Sequence, residues 1–255
     1  MILAAAQFGS YYDSSPLHAG GPVERHIMTV YTPIFWASAA LFTFVSLLII
    51  YSALRFRRRR DDEEPTQVHG NNRLEIAWTV VPFLILFSLF IVTAANMGYI
   101  THAPATSLRV CVVGQRFAWT YYYNTGCGET VQVKGGENHD TRLGYKGVLG
   151  KRATSTLTVP AGRPVALEIV SADVNHSYYL PTLAGQINAI PNQINHMWFQ
   201  ADRPGKYYGE CTELCGDNHY AMEIVVEAVP ADQFQAFMAK MNTSSASAGA
   251  GAGGQ

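Results

Sequence analysis

Near the carboxyl end the sequence runs Cys211-Thr-Glu213-Leu-Cys215-Gly-Asp-Asn-His219-Tyr-Ala-Met222, which places two thiols, an imidazole and a thioether within twelve residues. These are soft and borderline donors, the set that selects copper over hard cations. A second imidazole is required nearby, and His176 in Asp173-Val-Asn-His176-Ser-Tyr-Tyr supplies it, just past an expected strand. Three other chemistries compete for these residues. A disulfide between Cys211 and Cys215 would close a very small loop, where a cross-link stabilises least. A structural zinc site more often shows Cys-x2-Cys spacing and has no use for Met222. A mononuclear blue copper site takes one Cys, two His and a weak axial Met, which leaves one Cys too many here.

The elements that must hold these donors follow from where charge is missing. The chain has 255 residues, only 15% of them charged, against about 25% in an ordinary soluble domain. Its 18 basic and 19 acidic residues give a net charge of −1, so a nucleic acid or other polyanion is not an expected partner. A mean hydropathy of only +0.04 excludes a polytopic membrane protein. The apolar residues are concentrated instead. No charged residue occurs in the 28 positions from Ile27 to Leu54 or in the 33 from Ile76 to Leu108, whereas about 20 suffice to cross a bilayer. Trp36, Tyr51, Trp78 and Tyr99 near the ends of these runs suit the lipid interface.

The spacing therefore predicts a transmembrane hairpin over 27–100, with helices at about 27–54 and 76–100 and a loop at 55–75. Arg55 and Arg57 to Arg60 place that loop on the cytoplasmic side, and the adjoining Asp61 to Glu64 count for little. The arm at 1–26 and everything after the second helix are then outside, on the periplasmic or outer face of the membrane. The first 21 residues lack a basic n-region and a long apolar run, so the first helix is expected to act as the translocation signal.

From 101 to 230 the pattern changes to short β-branched and aromatic runs between Gly, Pro and Asn. They are Leu108–Val113, Phe117–Tyr123, Thr130–Lys134, Thr154–Val159, Val165–Val170, His196–Gln200, Lys206–Glu210 and Ala221–Val229, and they read as an all-β sandwich or barrel. A short helix at 231–241 and a disordered Ser/Ala/Gly tail are expected to complete 231–255. Cys111 and Cys127, 16 residues apart, are either a disulfide between neighbouring strands or two free thiols.

The six-donor string with His176 35 residues upstream of Cys211 resembles the binuclear copper centre of the cytochrome c oxidase subunit II family. The segment Asn72-Arg-Leu-Glu75-Ile-Ala-Trp78-Thr-Val-Val-Pro82 and the stretch from Ile190-Pro191 to Arg203-Pro-Gly-Lys-Tyr-Tyr-Gly-Glu-Cys211 extend the likeness over nearly the whole chain. The resemblance implies a cupredoxin-like outer domain in which Cys211 and Cys215 bridge two copper ions and His176 and His219 bind one each. Met222 is then a weak ligand of one copper and the Glu213 carbonyl of the other. It further implies a magnesium ion held by the Glu213 side chain together with subunit I, whose haem receives the electrons, and a place for Glu75 near the mouth of a proton pathway. Subunit III is a further expected partner.

In the family's Gly-x-x-Trp-x-Trp strand the first Trp receives the electron from cytochrome c. Here Phe117 stands at that position and only Trp119 remains. Gln186 and Asn188 replace a more usual Lys and Asp. Residues 101–255 carry 11 basic and 12 acidic residues, close to neutral, without the acidic surplus that suits a strongly basic cytochrome. The expected donor is therefore an unusual c-type cytochrome or a small copper protein, and the expected function is electron transfer within a proton-pumping terminal oxidase. A membrane-tethered copper chaperone or sensor is the alternative, but it has no use for Glu75 or Glu213.

Overall fold

The computed structural model describes residues 18–57, 70–127 and 153–249. The expected strand Thr130–Lys134, the arginines Arg58 to Arg60 and the acids that follow them lie outside the described residues. The chain divides into two compact units, residues 28–97 and the remainder.

The first unit belongs to two long helices, α1 (Pro22–Arg55) and α2 (Asn72–Thr101). Both are long and apolar enough to cross a membrane, and their apolar stretches are not buried within the protein. Helices of this composition need a hydrocarbon surrounding, where every polar group must find a partner within the segment. The side chains supply such partners locally. Thr43, Thr79, Ser88, Thr93 and Asn96 each donate to a carbonyl three or four residues back in their own helix. Asn71 caps α2, its Oδ1 accepting from the N–H groups of Arg73 and Leu74 at 3.1 and 3.3 Å.

The second unit is a sandwich of two five-stranded sheets. Its strands are β1 (Leu108–Gln115), β2 (Ala118–Tyr123), β3 (Ala153–Thr154), β4 (Leu157–Pro160) and β5 (Val165–Ser171), then β6 (His176–Leu180), β7 (Gly185–Ala189), β8 (Asn195–Phe199), β9 (Gly205–Cys211) and β10 (Glu223–Val229). One sheet has the order β3-β2-β1-β5-β8 and the other β4-β10-β9-β6-β7. The pairs β1/β5 and β4/β10 are parallel and the rest antiparallel. The all-β sandwich expected from the spacing is present, with two strands, β6 and β7, that the sequence reading did not list among its runs. His176 lies past the end of β5 at a strand end, as expected, and is itself the first residue of β6. A helix α3 (Ala231–Gly249) closes the unit. It continues past the expected end at 241 into the Ser/Ala run, because Ala and Ser extend a helix once Phe234 and Phe237 have docked its first turns against Tyr123.

Every second residue of β1 faces the main core, as Val110 and Val112 do, while Cys111 and Val113 face a smaller cluster with Cys127, Val170 and Ala172 on the other side of the sheet. Cys111 and Cys127 are joined by a disulfide with their Cα atoms 4.9 Å apart. That bridge draws the segment after β2 across the outer face of the sheet. Glu168 secures it further, accepting from the Cys127 N–H at 2.7 Å and from Arg109 at 2.8 Å.

The last residues ahead of the first apolar run, from Gly20 on, are held to the sandwich. Helix α1 starts at Pro22, not Ile27, and its opening turn packs on the sandwich. The Gly20 N–H donates to the Thr182 carbonyl at 2.7 Å, and Arg25 pairs with Asp202. A Cβ on Gly21 would sit 2.0 Å from the Gln200 carbonyl oxygen, so only glycine allows this approach. Glu24 is 3% exposed, and its Oε2 has no partner among the described residues. It precedes the uncharged run, and burial pushes its carboxyl up to about 7. A raised carboxyl favours the folded state at low pH, and that contribution is lost as pH rises from the ordinary range through about 7. Glu24→Gln is therefore expected to melt with the parent at pH 4.5 and above it at pH 8, by on the order of 2 kcal/mol. Thermal melts of the detergent-solubilised chain at the two pH values check this.

Candidate metal centre

The β9–β10 connection carries the Cys211–Met222 motif, and its two ends are tied together. Cys211, the last residue of β9, donates its N–H to the Met222 carbonyl at 3.1 Å, next to the Glu210–Glu223 pair of the ladder. The Thr212 N–H donates to the Ser177 carbonyl at 3.1 Å, which presses the loop against the start of β6. Because Tyr178 pairs with Cys211 across the β6/β9 ladder, His176 arrives beside the thiols from a different strand. The distant histidine and the local motif meet through this register.

One ligand atom from each of His176, Cys211 and Cys215 lies within 4.8 Å of the other two, and all three residues are buried. Cys211 Sγ lies 3.8 Å from His176 Nδ1 and 3.4 Å from the Glu213 carbonyl oxygen. Cys215 Sγ lies 3.6 Å from His219 Nδ1 and 3.9 Å from Met222 Sδ. The other four residues singled out in the sequence, His176, Glu213, His219 and Met222, thus flank the two sulfurs. The thiols are not joined to each other, so the small-loop disulfide is not formed. Burial, and next the neighbouring Cys211, raises the Cys215 thiol above its ordinary range. Two thiols, two imidazoles and a buried thioether fit copper by donor chemistry, and the thioether argues against zinc.

Around these donors stands a supporting layer that the sequence reading did not assign. Asp173 Oδ1 lies 2.9 Å from His176 Nε2 and accepts from the Val174 N–H at 2.7 Å, while Oδ2 accepts from Arg116 N–H at 2.9 Å and Nε–H at 3.2 Å. Burial alone would raise this carboxyl, but the bonds from His176, Arg116 and Val174 outweigh it and hold the group well below the usual carboxylate range. An acid three residues before an expected ligand was the signal available in the sequence.

Trp119 is buried edge-on to His176, with centroids 5.8 Å apart, and to Tyr178 at 4.9 Å. A Cβ on Gly114 would lie 2.8 Å from the Trp119 ring and 3.2 Å from the His176 ring, so glycine is needed for both rings to fit. Gly216 adopts a φ of +135°, and the Phe117 ring packs 3.1 Å from where its Cβ would be. Phe117 is half-buried against the Cys loop, and Trp119 is buried next to His176. The Glu213 side chain is exposed, and Glu75 is exposed in the first turn of α2, in the other unit.

The family description "Cytochrome C oxidase subunit II, periplasmic domain" matches residues 108–229, and "Cytochrome C oxidase subunit II, transmembrane domain" matches residues 16–94. Cytochrome c oxidase subunit 2 of Alkalihalophilus pseudofirmus is 32% identical over 215 residues, 82% of this chain and 56% of the relative. The chain thus spans a little over half the length of that protein. Cytochrome c oxidase subunit 2 of Cereibacter sphaeroides is 30% identical over 248 residues, 88% of this chain and 80% of the relative. The crystal structure of the periplasmic domain of subunit II of cytochrome oxidase from Bradyrhizobium japonicum is similar at 24% identity and a TM-score of 0.44, covering 56% of this chain and 99% of that one. Two family matches that between them take in both the apolar helices and the sandwich with its thiol pair lead to one conclusion: the chain belongs to the cytochrome c oxidase subunit II family.

Proposed function

We propose that this chain is the electron-receiving subunit of a proton-pumping terminal oxidase, taking single electrons from an external donor and passing them to the haem of subunit I for the reduction of oxygen to water. The observation that carries the reading is the convergence of His176, Cys211 and Cys215 within 4.8 Å in a buried pocket, with His219 and Met222 against Cys215. Cys211 and Cys215 would bridge two copper ions, His176 and His219 would each bind one, and Met222 and the Glu213 carbonyl would be the weak ligands. When bound, a thiolate-bridged copper pair supplies a one-electron carrier with little structural change on transfer.

The chain's own residues fix the rest of the task. Asp173 orients His176, and Trp119 and Phe117 exclude water from the ligand side and lie on the route by which an electron would arrive. The exposed Glu213 carboxylate is a hard donor suited to a magnesium ion shared with subunit I. Leu214 and Tyr220, 80% and 83% exposed on the same loop, would be covered by that subunit. Glu75 would stand at the cytoplasmic mouth of a proton pathway continuing in subunit I, given the orientation that the arginines after α1 favour. Subunit III completes the expected assembly.

EPR of the oxidised, copper-loaded chain in detergent tests the reading. One unpaired electron shared by two copper nuclei gives a seven-line hyperfine pattern at two coppers per chain. A four-line spectrum at one copper per chain would overturn it.

The donor reading rests on the surface beside His176. Ala189 of β7 pairs with His176, and next to it Gln186, Ile187, Asn188, Ile190 and Asn195 line an open cleft of about 480 Å³ without one charged side chain. A neutral face does not steer a basic partner. Turnover with the native donor, a c-type cytochrome or a small copper protein, is expected to change by less than about threefold between 50 and 200 mM salt. A steep decline in steady-state rate with salt would restore a strongly basic cytochrome as the donor.

A further inference from the structure

We infer that Arg116 is a positioning residue that sets the reduction potential of the copper centre through Asp173 and His176. The inference rests on the binuclear reading above. The Asp173 carboxylate is shared between two duties: Oδ1 faces His176 Nε2 at 2.9 Å, and Oδ2 accepts two bonds from Arg116. His176 is fully buried, so its ring can answer only to the groups packed against it. With Nδ1 turned to the thiols, Nε2 carries the proton and donates it to Asp173. A carboxylate in this place makes the imidazole a stronger electron donor to its metal and so favours the oxidised state. The guanidinium opposes that push, because charge drawn to Oδ2 by Arg116 is no longer available at Oδ1. Arg116 is linked to the ligand His176 through Asp173, by two successive hydrogen bonds, and its backbone N–H keeps Asp173 in place even when the side chain is changed.

Arg116→Gln removes the guanidinium and leaves the backbone bond. In the copper-loaded chain it is expected to favour the oxidised state by three- to tenfold, read as a fall in midpoint potential in a spectroelectrochemical titration of the copper absorption; tenfold corresponds to about 59 mV for one electron. Asp173→Asn is expected to move the potential the other way. Arg116→Gln placed on Asp173→Asn is expected to be silent, because the relay is already cut.

An unmoved potential in Arg116→Gln overturns the inference. So does an equal fall in both backgrounds, which is the signature of a charge acting through space. Copper content is measured on every sample. Two coppers with an unresponsive potential sink the relay and leave the proposed function standing, whereas fewer than two in the unsubstituted chain overturn both. Retention of the seven-line EPR pattern in Arg116→Gln shows that the centre itself is intact.

Discussion

Cys215→Ser is expected to reduce the copper content from two to one and to turn a seven-line EPR pattern into a four-line one, with electron transfer to the oxidase lowered more than about a hundredfold. The magnitude follows from how many donors converge on that sulfur. Cys215 Sγ is within 4 Å of both His219 Nδ1 and Met222 Sδ, whereas Cys211 Sγ stands against His176 and the Glu213 carbonyl. A serine oxygen is a hard, weakly basic donor and cannot bridge two soft ions at neutral pH. The donors that remain, one thiolate with two imidazoles and a thioether, are the set that holds a single copper. The fold has little reason to suffer, since the Cys211–Met222 and Thr212–Ser177 backbone bonds that shape the loop do not involve the substituted side chain. Copper analysis and EPR on the same sample check the outcome. Two coppers and an unchanged spectrum in Cys215→Ser would show that Cys215 bridges nothing.

The centre was legible in the sequence where it is local and hidden where it is tertiary. Cys211 to Met222 is one strand connection, so its donors are neighbours whatever the rest of the chain does, and their spacing alone narrows the chemistry. The helices were legible for a similar reason, since an uncharged run of 28 or 33 residues has few other solutions. Strand β6 was not. His-Ser-Tyr-Tyr-Leu is buried at four of five positions, so it shows none of the alternation by which a half-exposed strand is recognised. Its neighbour β7 alternates, but as Gly-Gln-Ile-Asn-Ala it has only one strong β-former. Arg116, and the packing of Phe117 on the Cys loop, were hidden differently. What each does is decided by Asp173 and Gly216, which approach from other loops, and no spacing in the sequence encodes that meeting. Glu24 belongs with them, because an acid ahead of a membrane helix reads as solvated until the fold is seen to bury it.

Replacing both Cys111 and Cys127 by Ser is expected to cost about 3 kcal/mol, the chain-entropy value for a cross-link closing a loop of this length. The melting temperature should fall by on the order of 10 °C. The copper spectrum should not change, and the reason lies in the alternation of β1. Val110 and Val112 point into the main core that reaches the metal donors, while Cys111 points to the opposite face with Cys127, Val170 and Ala172. The bridge therefore holds the outer face of one sheet, on the far side of that sheet from His176 and Trp119. Some of the anchoring survives without it, because Glu168 still accepts from the backbone N–H of residue 127. A melt and an EPR spectrum on the double variant separate the two contributions. A loss of copper along with stability would mean that strain in β1 reaches Gly114, where no atom can be added between Trp119 and His176. An unchanged melting temperature would mean instead that Glu168 and the small apolar cluster hold this segment without the disulfide.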